Sequence, residues 1–221
     1  SMREQIELSR QMLALGASKI LVDGSLDRKS IALSPEVDAV ALVLGASYGS
    51  LADLDKELKR LLMLAALPVY VADNNEKERL LASGELLLGN QQNWHSSGIE
   101  TLSGKSSDLS TELSNHPDLD RLYIPGAVTP NSLEPLLSMM LKRPYTLITR
   151  HPDCLKMDIT SIEKLAARTE LKTLIPFRVR GFAINAESIG SASEDAGHFR
   201  SQLRKRFPQL DLIDIMEVTY A

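Results

Sequence analysis

The 221-residue chain carries a formal net charge of -4 and a sequence pI of about 5.6. This argues against a general nucleic-acid binder, whose phosphate contacts need a basic face. The single cysteine, Cys154, rules out an internal disulfide and fits a reducing, cytoplasmic setting. No apolar run approaches the roughly 20 residues that span a bilayer, and the first residues lack the regions of a signal peptide.

Taken in order, Glu4 to Leu15 places Ile6, Leu8, Met12, Leu13 and Leu15 at helical spacing, with Gly16 where such a helix would stop. Lys19–Val22 reads as a buried strand ended by Asp23 and Gly24. Ala39–Leu44 (AVALVL) is a second continuous apolar run. Runs without alternation fit strands covered on both faces in a parallel sheet. Gly45-Ala46-Ser47-Tyr48-Gly49-Ser50 follows, and Ser50 is a good N-cap for a helix through Leu51, Leu54, Leu58, Leu61, Leu62 and Leu64.

Pro68 ends that helix, Val69–Ala72 predicts a third strand, and Asp73-Asn74-Asn75 a turn and cap before a helix over Glu76–Ala82. Leu86–Leu88 is a short strand. Gln91–Asn115, rich in Ser, Gln, Asn and Gly, reads as a polar surface excursion with a short helix near Ser107–Leu113. Strands are then expected at Arg121–Ile124, Tyr145–Ile148, Thr173–Ile175, Phe182–Ile184 and Leu212–Met216. Helices are expected after Asn131, over Ile162–Ala167 and over Ser193–Phe207. The order predicts one α/β domain over residues 1–221, with a doubly wound, mostly parallel sheet and helices on both faces.

Ligands of open parallel sheets bind outside the carboxyl ends of the strands. That logic nominates Asp23, Gly24, Asp27 and Arg28 after the first strand, and Gly45, Ser47, Gly49 and Ser50 after the second. The acids and Arg28 could hold a phosphate with its metal, or simply pair with one another. The Gly45–Ser50 turn opens a helix whose N–H groups could cradle an anion, a nucleotide or phosphate, or it is a glycine turn that lets helix and sheet pack closely. Gly98–Ser106 (GIETLSGKS) misses the phosphate-loop spacing by one residue, and no strand is expected to run directly into it. His151, Asp153 and Cys154 are metal-capable, but without the paired spacing of a zinc site. Arg178 and Arg180 alternate on a short strand; they could both face an anionic ligand on the rim, or, the favoured reading, be solvated charges on an edge strand. No catalytic or metal-ligand motif is assigned.

Leu15-Gly16-Ala17, the run Lys19–Val22, Asp23-Gly24-Ser25-Leu26-Asp27-Arg28, and Asp38-Ala39-Val40-Ala41-Leu42-Val43-Leu44-Gly45-Ala46 together resemble a bacterial family: the reactivase subunit of lysine 5,6-aminomutase and its relatives. The resemblance covers about the first 50 residues. It implies an accessory or reactivating subunit that partners another protein, an aminomutase or an ATPase subunit, to maintain a cobalamin- and pyridoxal-phosphate-dependent aminomutase. In that family the Asp-Gly strand lies downstream of a phosphate loop. This chain has none ahead of Asp23, so it is expected to be the C-terminal part of a longer phosphate-loop protein or a relative without that loop. No cofactor of its own, no nucleic acid and no membrane are expected. The alternative is a nucleotide- or phosphate-binding enzyme that uses the rim around Asp23 and Gly45–Ser50.

Overall fold

The computed structural model describes residues 2–23, 34–186, 196–214 and 217. In chain order the elements are α1 (Met2–Ala14), β1 (Val40–Gly45), α2 (Leu51–Ala65), α3 (Asn74–Ala82), β2 (Leu87–Gly89), β3 (Trp94–Ser96), α4 (Ser106–Asn115), β4 (Arg121–Ile124), α5 (Pro130–Lys142), β5 (Thr146–Thr149), α6 (Ile159–Ala166), β6 (Glu170–Thr173), β7 (Val179–Asn185), α7 (Ala196–Arg206) and β8 (Leu212–Asp214). The chain is an α/β protein with one parallel and one mixed sheet. It divides into two compact units, Ser1–Asp38 with Leu67–Phe177 and Ala39–Ala66 with Arg178–Ala221. No described helix is long and apolar enough to cross a membrane.

In the first unit the strand order is β3-β2-β4-β5-β6, with β4, β5 and β6 parallel and β2 antiparallel to both its neighbours. Side chains of a strand alternate between faces. On one face Leu87, Tyr123 and Ile148 join Tyr70, Leu80 of α3, Trp94 and Leu174 in a core cluster. The alternate residues Leu122, Ile124, Leu147 and Leu171 are also buried, and α4, α5 and α6 pack side by side. The row Arg121–Thr146–Glu170 runs across the three parallel strands beside the Tyr123 row. It is polar where it meets solvent: Glu170 accepts from Thr146 Oγ1 at 2.9 Å and pairs with Lys172 Nζ at 2.8 Å.

Several local signals act here as physical chemistry requires. Asp73 caps α3 by accepting from Glu76 N at 2.8 Å, and Asp158 caps α6 by accepting from Ser161 N at 2.7 Å. At the end of α3 the guanidinium of Arg150, which follows β5, donates to the carbonyls of Leu81 at 2.5 Å and Ser83 at 2.9 Å. It thereby satisfies acceptors the helix leaves open. Helix α5 starts at Thr129-Pro130 rather than at Asn131. Proline suits the first helical position, and Ser132 Oγ accepts from Thr129 N at 2.9 Å.

Residues 91–115, expected as a polar surface excursion, instead supply core. Trp94, Ile99, Leu102, Leu109 and Leu113 are buried, and the stretch forms β3 and α4. The Trp94 ring lies over Gly89, where a Cβ would come within 2.6 Å of it. Strand β3 runs antiparallel to β2, so it points the same way as β4 and leads into the Gly98–Ser106 loop. The expected third strand, Val69–Ala72, reduces to a single bridge from Val69 to Thr173.

In the second unit the order is β1-β7-β8, all parallel. The expected edge position of Arg178 and Arg180 is corrected. Strand β7 is the central one, and the register steps from Val40↔Val179 to Ala41↔Gly181, which leaves Arg180 at a bulge. Leu44, Ile184 and Leu212 pack with Leu54 and Leu58 of α2 and with Phe199 and Leu203 of α7, adjoined by Phe207, in one cluster. Each fully buried side chain of this size contributes roughly 1.5–3 kcal/mol relative to exposure.

The stretch Lys19–Val22, expected as a buried strand, is neither. Residues 19–23 pair with no strand among the described residues, and Leu21 is 96% exposed. The helix before it forms as expected. It closes with Gly16 at φ 101°, Gly16 N donating to Leu13 O and Ala17 N to Met12 O, each at 3.0 Å. A helix stop is set within five residues, whereas a strand needs a partner that its own sequence does not specify.

Candidate functional site

Of the nominated residues, Asp23 is exposed at the end of an unpaired segment of the first unit. Gly24, Asp27 and Arg28 lie outside the described residues. Gly45, Ser47, Gly49 and Ser50 all belong to the second unit, where they do form the expected strand-to-helix turn. Gly45 ends β1, Ala46–Tyr48 make one 3₁₀ turn, and Gly49 adopts φ 147°, a conformation open mainly to glycine. Ser50 caps α2.

The chemistry of that cap bears on anion binding. Ser50 Oγ accepts from Asp53 N at 3.2 Å and donates to Asp53 Oδ2 at 2.6 Å. The carboxylate therefore stands at the helix N-terminus, where a phosphate would look for positive potential. The Ser50 hydroxyl holds the Asp53 carboxyl below its usual range. The hydroxyl and the field of the first turn are thus engaged with an internal anion.

The carboxyl ends of β4 and β5 in the first unit are likewise occupied by the chain itself. Val128 N donates to Cys154 O at 2.7 Å and Lys156 N to Val128 O at 2.9 Å, so the two following loops pair. Cys154 Sγ lies 3.7 Å from His151 Nδ1 and 3.6 Å from Pro125 O. Burial pushes the thiol up and the imidazole down. Both shifts oppose the thiolate–imidazolium pair that a cysteine nucleophile needs. Asp153 is paired with Lys156. Among the described residues no group of three metal-capable side chains is placed to hold an ion.

The polar cluster of the first unit is also internally satisfied. Glu76 Oε1 accepts from Tyr70 Oη and from Trp94 Nε1, each at 2.7 Å, and Arg121 donates to Tyr70 Oη at 2.7 Å. Burial, reinforced by the hydrogen bond to Glu76, raises the Tyr70 phenol to about 12. In the second unit the buried Asp214 pairs with Arg200, and Glu217 pairs with Arg204 at 2.5 Å. These groups tie α7 to the end of β8 and hold charge in place.

What sequence reasoning missed is a surface. Laterally adjacent residues of a parallel sheet share a face, so Val43, Ala183 and Ile213 form one row across β1, β7 and β8. Ala41 and Gly181 form the next. Both rows lie opposite the face packed by α2 and α7. Val43 is 65% and Ile213 50% exposed. The signal was present in AVALVL: apolar residues at every position call for cover on both faces.

No protein family, curated protein or solved structure matches the chain.

Proposed function

We propose that this chain is a non-catalytic accessory subunit that binds a second protein through the face of the β1–β7–β8 sheet carrying Ala41, Val43, Gly181, Ala183 and Ile213. The observation that carries this reading is the contrast in chemistry between two strand rows that reach solvent. Arg121–Thr146–Glu170 is polar, with Arg121 and Thr146 partly buried and Glu170 exposed. Val43–Ala183–Ile213 is apolar on a parallel sheet, the kind of sheet that is ordinarily covered on both faces. The resemblance over the first 50 residues supplies the partner: a cobalamin- and pyridoxal-phosphate-dependent aminomutase such as lysine 5,6-aminomutase, or the ATPase subunit that serves it.

The test is co-elution of the purified chain with lysine 5,6-aminomutase, with and without an ATPase subunit, for the native sequence and for Val43→Lys with Ile213→Lys. A complex with the native chain is expected, lost in the charged variant at an unchanged melting temperature. Absence of any complex overturns the accessory role. A complex that the charged variant still forms keeps the role and overturns the surface.

The alternative reading is a nucleotide or phosphate binder at Gly45, Ser47, Gly49 and Ser50. Its support is the glycine turn and the helix that follows it, and Asp53 on the cap counts against it. A rise in melting temperature with inorganic phosphate or a nucleotide panel would favour it, because a ligand bound only to the native state stabilises by mass action.

A further inference from the structure

No further inference is drawn: the strongest candidate, the Gly98–Ser106 loop that leads from β3 into the uncapped N-terminus of α4, rests on a helix N-terminus alone, since the loop's one cation, Lys105, is paired with Asp108 and nothing else among the described residues points to a ligand there.

Discussion

The two sheets of this protein answer the same problem differently. In the first unit, α3 covers the Tyr123–Ile148 part of one face, residues of the other face are buried, and the row that reaches solvent is polar, with Arg121 and Thr146 partly buried and Glu170 exposed. In the second unit one face packs on α2 and α7, and the other leaves Val43 and Ile213 exposed. Polar residues on an open row mean that exposure is the working state. Apolar residues on an open row mean either a stability cost that nothing offsets or a partner.

The largest expected effect separates the two faces of the second unit. Phe199→Ala removes a buried ring between α7 and the sheet and is expected to cost about 3–5 kcal/mol in urea unfolding. Val43→Thr on the opposite face is expected to change stability by less than about 0.5 kcal/mol. If the Val43 variant loses as much as the Phe199 variant, that face is core and the comparison fails.

The next effect probes how tightly the α3 face of the first unit is packed. Gly89→Ala puts a methyl about where the Trp94 ring lies, so the ring must shift. A loss of about 1–3 kcal/mol is expected, together with a changed tryptophan fluorescence spectrum. An unchanged spectrum and stability would show that the face is loose.

Ser50→Ala removes the cap of α2 and is expected to cost about 1 kcal/mol in thermal or urea unfolding. Any phosphate affinity of the turn should be measured on the same variant. Binding that survives loss of the hydroxyl does not run through this cap.

A last effect, seen only at alkaline pH, comes from Tyr70. Tyr70 titrates from an ordinary value of 10.0 in the unfolded chain to about 12 in the folded protein. Below the unfolded value both states are protonated and no stability depends on pH. Between the two values the unfolded state has released a proton that the folded state retains, so stability falls as pH rises and levels off above the folded value. Ultraviolet difference titration should show a late tyrosinate step that Tyr70→Phe removes. A Tyr70 that ionises near pH 10 would mean that this face is wetter than its packing implies.

The local parts of the structure were legible because their causes are local. Gly16 ends α1, Ser50 and Asp73 begin α2 and α3, and each is read within a few residues of chain. In 91–115 the polar composition hides the residues that fill a core. The helix expected near Ser107–Leu113 forms as α4, whereas Trp94, Ile99 and Leu102 are spaced too irregularly to announce that they fill a core. Of the nominated site residues, the glycine turn took the expected form. Its chemistry is governed by Asp53, three residues into the helix, whose carboxylate meets the Ser50 hydroxyl.

By itself the sequence determined the α/β class, most helix boundaries and the apolar character of Ala39–Leu44, because capping, periodicity and burial preference act along the chain. The tertiary structure alone decided that β2 runs antiparallel, that β7 is central, that Lys19–Val22 stands unpaired, and which face of AVALVL is covered. Strand pairing joins residues far apart in sequence. A hydrophobic run records its need for neighbours without recording which neighbours arrive.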